Sequence, residues 1–290
     1  MATNAKIPPL DVDEYMARRL AFETSFTDRD VMLYALGLGF GRDPMDEAEL
    51  PFVTEKKLVV MPTFASILAL DQRLVTTQDD LNFVKVLHGE QRLRIDRPIP
   101  ACGTVAGEAR IVDMIDKGEG RGMIMIQEIV LTLKESGDRL ATVTGTGFFR
   151  ADGGRGGTGG GAPVPHPIPD RPPDTIVEIE TRKDQALLYR LNGDRNPLHS
   201  DPEFARAAGF DVPILHGLCS YGIACRAVIQ TYVPGAPDRV ARCDVRFSAP
   251  VYPGETIMAE LWRDRDIVSY RCKVKERDLV VLNNGRCDLR

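Results

Sequence analysis

Residues 189–202 read Tyr-Arg-Leu-Asn-Gly-Asp-Arg-Asn-Pro-Leu-His-Ser-Asp-Pro, and residues 214–222 read Ile-Leu-His-Gly-Leu-Cys-Ser-Tyr-Gly. No other stretch of the 290-residue chain gathers so many reactive groups in so short a span. Asp194 and His199 are five positions apart, with Asn196 and Pro197 between them. Gly193 and Pro197 both oppose helix, so a loop is expected here. A loop can turn Asp194, Asn196 and His199 toward one point, which a straight helix would not do for all three. A carboxylate and an imidazole that converge can hold one water and move protons to and from it. Asn196 can hydrogen-bond a polar ligand without titrating.

The flanks extend this reading. Asp201 suits an N-cap, Pro202 the first helical position and Gly209 the C-cap, which predicts a short helix. Beyond Pro213, residues 217–230 predict a longer and largely apolar helix. Its start places the Gly217 N–H at a helix N-terminus, where free N–H groups stabilise negative charge and can form an oxyanion hole. The residues alone leave a plainer alternative open. His199 could serve the start of the 201–208 helix, and Asp194 could be a turn residue.

Asn-Gly-Asp-Arg-Asn-Pro-Leu-His-Ser-Asp-Pro, followed by Ala-Gly-Phe-Asp-Val-Pro-Ile-Leu-His-Gly-Leu-Cys, closely resembles the MaoC-like (R)-specific enoyl-CoA hydratases. The nearest type is hydratase 2, found as a domain of peroxisomal multifunctional enzyme type 2. The resemblance implies that Asp194 and His199 are the catalytic pair, that Asn196 is the motif asparagine and that Gly217 is the oxyanion glycine. Asn192 departs from the family, where Ser or Thr is commoner. The resemblance also implies that Leu87-His88-Gly89-Glu90, the turn Asp116-Lys117-Gly118 and Phe247 contact acyl-CoA. Lys117 could neutralise a CoA phosphate, and Phe247 could pack on pantetheine or adenine. CoA enters as part of the substrate; no cofactor and no metal are expected.

Composition bounds the partners. Hydrophobic content of 43% and charged content of 27% are ordinary for a globular chain. A net charge of −5 argues against nucleic acid as the main partner. The six cysteines form no Cys-x-x-Cys motif, so a zinc or redox motif is unsupported. Scattered thiols fit a reducing compartment, and Cys219 and Cys225 fall in the apolar helix as expected core. No membrane span, no signal peptide and no Ser-Lys-Leu address are evident, so a cytoplasmic enzyme is expected.

In chain order, residues 1–25 read as a leader with a short helix. A helix is predicted from Phe26 with Thr27 or Asp28 as its cap, stopping at Gly37, Gly39 and Gly41. Residues 43–49 read as a solvated acidic loop, 52–60 as a strand and 61–70 as an apolar, helical segment. Most of the last is expected in the core, with lining of an acyl tunnel as the alternative. Alternation after His88 and over 104–115, 122–134 and 139–149 predicts an antiparallel sheet. Residues 152–174, first Gly-rich and then Pro-rich, read as an exposed linker. Strands are predicted again at 240–248, 255–263, 266–276 and 278–288.

The second half repeats the first. Thr27-x-x-Asp30 before Leu33-Tyr34 has its counterpart in Thr181-x-x-Asp184 before Leu188-Tyr189. Arg94 to Gly103 has its counterpart in Arg246 to Gly254. The resulting expectation is α+β: two tandem hot-dog units, each an antiparallel sheet wrapped on a helix. A non-catalytic unit spans 1–151, the linker 152–174 and a catalytic unit 175–290. The first half has Gly37-Leu38-Gly39-Phe40-Gly41 where the second has its motif, so one active site per chain is expected.

The resemblance implies reversible hydration of trans-2-enoyl-CoA to (3R)-3-hydroxyacyl-CoA, in fatty-acid or side-chain β-oxidation. A hot-dog acyl-CoA thioesterase would instead release free thiol, and a non-catalytic acyl-CoA-binding module would bind without turnover. A homodimer is expected, with neither nucleic acid nor membrane as partner.

Overall fold

The computed structural model describes residues 8–70, 74–75 and 79–290. The first half contains α1 (Val12–Ala17), β1 (Arg19–Phe26), α2 (Asp28–Gly37), α3 (Leu50–Val53) and α4 (Ala65–Leu68). Its remaining strands are β2 (Val86–Ile95), β3 (Gly103–Asp116), β4 (Met123–Leu133) and β5 (Arg139–Phe149). The second half has β6 (Thr175–Glu180), α5 (Gln185–Tyr189), α6 (Pro202–Ala207) and α7 (Gly217–Tyr232). It ends in β7 (Val240–Phe247), β8 (Thr256–Asp264), β9 (Ile267–Val274) and β10 (Leu279–Leu289).

All ten strands form one antiparallel sheet in the order β1-β3-β4-β5-β2-β7-β10-β9-β8-β6. Read outward from the middle, β2, β5, β4, β3 and β1 mirror β7, β10, β9, β8 and β6. The internal repeat seen in the sequence is thus a repeat of topology, and the two halves meet where β2 pairs with β7. This is the expected α+β double hot-dog arrangement.

The long helix is α7. Every residue from Leu218 to Ile229 is buried, as expected of a helix apolar on all sides. The buried Tyr221 hydroxyl donates to the Cys243 carbonyl at 2.8 Å and is thereby satisfied. Cys219 and Cys225 are buried in this helix, as the sequence suggests. In the first half, the described part of the corresponding segment is shorter. It has a 3-10 turn at Pro62–Phe64 followed by α4. Phe64, Ala65 and Leu68 are core residues.

Five expectations need correction. Residues 52–60 are not a strand: α3 ends at Val53, and the chain doubles back so that the Val59 N–H donates to the Pro51 carbonyl. The leader includes a real edge strand, β1, paired residue for residue with β3; its first seven residues lie outside the described ones. A further strand, β6, pairs with β8 on the opposite edge and was not anticipated. The acidic loop is also not fully solvated. Glu49 is buried and ion-pairs with the buried Arg226 of α7. The same carboxylate accepts from the Gly41 N–H at 2.8 Å and from Gln230 at 2.9 Å.

The Gly-rich part of 152–174 is exposed over residues 156–162, but its start is anchored to the first half. Asp152 and Arg155 are buried and paired at 2.9 Å. The Asp116 carboxylate accepts from the N–H groups of Gly118, Gly154 and Gly156 at 2.7–2.8 Å. A Cβ on Gly153 would lie 2.2 Å from the Gly118 carbonyl oxygen. These glycines therefore allow backbone to pack on backbone against the β3–β4 turn; their composition marks close approach and not flexibility.

Glu49→Ala leaves the Arg226 guanidinium buried and uncompensated, at a cost of about 3–5 kcal/mol. Urea unfolding should show this loss, and Glu49→Leu with Arg226→Met should recover most of it. An unchanged midpoint in Glu49→Ala would mean that the pair carries no stability.

Candidate active site

The site is assembled by a short run of capped turns. Gly193 has φ of +125°, which a side chain would resist, and it turns the chain out of the 190–192 turn. The Asp194 carboxylate then accepts the Asn196 N–H at 3.2 Å, and the Asn196 side-chain oxygen accepts the Leu198 N–H at 3.0 Å. Pro197 opens a 3-10 turn over Pro197–His199. Asp201 caps α6 by accepting from the N–H groups of Glu203 and Phe204 at 2.8 and 3.2 Å. Gly209 follows α6 with φ of +91°. The loop and short helix predicted from the sequence are both present.

The arrangement brings Asp194 and His199 together with a third group, His216. One potential ligand atom from each lies within 4.8 Å of the others. The His199 and His216 rings stack with centroids 3.7 Å apart. Hydrogen bonding fixes both tautomers, because a backbone carbonyl can only accept. His199 Nδ1–H donates to the Ile214 carbonyl at 2.9 Å, leaving Nε2 as a lone pair. His216 Nε2–H donates to the Asp194 carbonyl at 3.2 Å, leaving Nδ1 bare and without a partner. Each of the three groups thus keeps an acceptor atom, and a donor such as water is the natural partner of such a set. A metal ion suits this trio poorly. The ring planes are only 28° apart, so their in-plane lone pairs do not meet at one point.

Electrostatics keep the imidazoles neutral. Burial lowers the His199 pKa, against a raising effect from the Ile214 carbonyl and Asp194. Burial, then His199, lowers His216 to about 4.

Gly217 opens α7 directly after His216, and the first turn of any helix leaves its N–H groups without intrahelical acceptors. A Cβ on Gly217 would be 3.1 Å from Cε1 of Phe247, so glycine lets the phenyl ring close over the helix start. The Phe247 ring lies 4.5 Å from that of His88, which comes from the other half of the chain. Part of the His88 surface is open, while the surrounding protein lowers its pKa to about 4; Asp194 opposes the shift. Gly89 lies at the β2–β5 irregularity, where a Cβ would be 3.3 Å from the Thr146 carbonyl oxygen. Lys117 stands apart from the acceptor trio. Its Nζ sits 5.6 Å over Phe148, whose Cα partner across the ladder is Leu87. A cavity of about 460 Å³ beside the loop is lined by Leu70 and residues 193–197.

Sequence reasoning identified the His216–Gly217 pair but gave a role only to the glycine. The available signal was the position of His216 directly before the helix. Tyr189, to which the sequence assigns no role, is buried with its ring 5.0 Å from that of His216.

One ten-stranded sheet in two mirrored halves, with a carboxylate, an imidazole and a helix start brought close together, defines a double hot-dog protein. Residues 165–284 match the MaoC like domain, and residues 24–151 match the MFE-2 hydratase 2 N-terminal domain. Enoyl-CoA hydratase ChsH3 of Mycobacterium tuberculosis is 38% identical over 96% of this chain and 98% of its own length. Peroxisomal enoyl-CoA hydratase 2 of Arabidopsis thaliana is 39% identical over 96% and 95%, respectively. The crystal structure of a MaoC-like dehydratase from Phytophthora capsici superposes with a TM-score of 0.86 at 31% identity, covering 97% of this chain and 98% of that one. The chain belongs to the MaoC-like hydratase 2 family.

Histidines held neutral by the fold make stability depend on pH. Unfolded, each takes up a proton near pH 6.5; folded, His216 does so only near 4. The unfolded state binds more protons in between, so this contribution is present above pH 6.5 and lost as pH falls toward 4. Urea midpoints should drop from neutral pH to about pH 5, and His216→Gln should shrink the slope. An identical slope in the variant would show that His216 is not the group responsible.

Proposed function

We propose that the protein is an (R)-specific enoyl-CoA hydratase that reversibly converts trans-2-enoyl-CoA to (3R)-3-hydroxyacyl-CoA. The observation that carries this reading is an Asp194 carboxylate oxygen within 4.8 Å of a ring nitrogen of neutral His199. Two acceptors can hold one water by both of its hydrogens. The R configuration and a role in β-oxidation follow from kinship with hydratase 2.

The thioester oxygen lies at the start of α7 and accepts from the Gly217 N–H. Electron density drawn toward that oxygen makes C3 electrophilic, and the enolate that develops is held by the same donor. The water oxygen bonds to C3 as one of its protons passes to the Asp194–His199 pair. The pair then returns a proton to C2, so the elements of water are added and nothing is oxidised. The two residues act as a unit, with base and acid shared between them. Asn196, whose side-chain oxygen is engaged with Leu198, keeps its amide hydrogens for the water or thioester. His88 and Phe247 flank pantetheine, Gly89 gives it room, and Lys117 neutralises a phosphate of CoA.

The division of labour is one catalytic half, 175–290, and one non-catalytic half, 1–151, that accommodates the acyl chain. No metal or redox cofactor enters this chemistry. Among the described residues, no helix is long and apolar enough to cross a membrane. A cytoplasmic homodimer is part of the proposal, although relatives include peroxisomal forms.

Ultraviolet absorbance of the conjugated enoyl thioester tests the reading with crotonyl-CoA and trans-2-decenoyl-CoA. The signal should fall, giving (R)-3-hydroxyacyl product and no free thiol. Asp194→Asn and His199→Ala should each lower kcat by about 100-fold or more while the fold is retained. Thiol release would point to a thioesterase, and binding without turnover to a carrier module. Near-normal kcat in either variant would remove that residue from the mechanism.

A further inference from the structure

Away from this site, the sheet carries a second polar cavity at the seam between the halves. Leu93, Cys243 and Cys287 point into the core. By the alternation of a strand, their neighbours point to the other face. There, Arg92, Arg242, Arg246 and Arg286 surround Glu90 and Asp244 in a groove of about 260 Å³. Residues 164–167 cross over it as a roof. His166 fixes that roof: its Nε2 is 2.8 Å from Ser269 Oγ, and its carbonyl accepts from Asn284 at 2.8 Å.

The charges do not balance. Glu90 is shared by Arg92 and Arg246, the latter at 2.6 and 3.0 Å. Arg242 Nε donates to Asp244 Oδ2 at 2.7 Å. Arg286 is held from outside the groove by Asp288 at 2.7 and 3.1 Å. Arg94 faces Arg242 directly across the β2–β7 ladder, and like charges so placed repel. Five guanidiniums thus meet three carboxylates, leaving two positive charges on a chain whose net charge is −5. Burial lowers the His166 pKa, and Arg286 and Arg242 lower it further while Asp288 opposes them.

Asp244 adds a second requirement. It is 7% exposed, and its Oδ1 has no hydrogen-bond partner. Burial raises its pKa despite the Arg242 contact. A fitting ligand brings negative charge for the arginines and one hydrogen for Oδ1. Hydrogen phosphate has both, whereas sulfate has the charge and the tetrahedral shape but no hydrogen. Arginine's fork matches such an oxyanion.

We infer that this groove is a second ligand site, specific for a protonated tetrahedral phosphate, either free orthophosphate or the phosphomonoester of a larger molecule. The arginines supply the attraction. Asp244 selects phosphate over sulfate by accepting a hydrogen bond from the phosphate O–H. The roof over 164–167 limits the free space to a small head group.

Calorimetric titration of the full chain with orthophosphate, sulfate and adenosine 3′-monophosphate tests this. Saturable phosphate binding is expected, with sulfate weaker by about tenfold or more, the worth of one hydrogen bond to a charged group. Asp244→Asn should abolish that preference. Arg242→Gln and Arg286→Gln should each weaken phosphate by about tenfold, and hydration of crotonyl-CoA should not change. Arg242→Lys, a milder change, keeps the charge and should bind between wild type and Arg242→Gln. Binding of the nucleotide in preference to orthophosphate would identify the ligand as a phosphomonoester and support the site. No saturable binding of either phosphate by the folded chain would overturn it, as would equal affinity for sulfate unchanged in Asp244→Asn. A larger species in solution that dissociates in the arginine variants would also overturn it, since a second copy would then cover the groove.

Discussion

The β2–β7 pairing is the constraint on which the rest depends. Each half ends in an open strand edge, and an open edge is a liability unless it is paired. Here each edge satisfies the other through five residue pairs, from Glu90 with Arg246 to Arg94 with Arg242. The register determines which residues meet at the ends of the seam. Just beyond the paired stretch, His88 of one half stacks near Phe247 of the other. A one-residue slip of β2 would turn Leu93 outward and drive Arg92 and Arg94 into the core. The buried face and the cleft are therefore specified by the same pairing.

The second dependence runs through α7. A helix buried from Leu218 to Ile229 presents its first N–H groups beside the buried His199 and His216, where each interaction is stronger than in water. Its N-cap residue, His216, does not cap it with its side chain. That ring instead donates to the Asp194 carbonyl, tying the helix start to the loop carrying Asp194 and His199. The spacing between the Gly217 N–H and the side chains of Asp194 and His199 is thereby set by one hydrogen bond and one ring stack.

Much of this was legible in the sequence because the signals were local. Gly193, Pro197, Asp201 and Gly209 act on their own backbone, and the loop and α6 appear where these residues put them. The long strands were legible from alternation. What stayed hidden depended on distant partners. Glu49 looks like one more acid in an acidic run until Arg226, 177 positions away, is placed beside it. Gly153 and Gly157 read as linker because composition cannot show that backbone from 114–118 will lie against them. β1 does alternate, with Leu20, Phe22, Thr24 and Phe26 covered and Arg19, Ala21, Glu23 and Ser25 exposed, but its pairing partner β3 lies some eighty positions on, so the run read as leader. The neutral state of His216 depends on burial, which no motif states.

The two halves share a topology but spend the same segment differently. After α5, the chain turns into the Asp194–His199 loop. After α2, it turns into Gly37-Leu38-Gly39-Phe40-Gly41, which packs against α7. Gln185 and the Cys219 thiol donate to the Gly37 carbonyl, and Arg226 donates to that of Leu38 at 3.1 Å. A Cβ on Gly222 would lie 2.5 Å from Leu38, so the helix gives up a side chain to admit it. The Arg226 guanidinium also lies 4.4 Å over Phe40. Carbonyls that could have bordered a second cleft are instead satisfied by side chains from the other half. The covering of this segment and the burial of α7 are the same structural event. A chain with two functional loops would need another way to cover that helix.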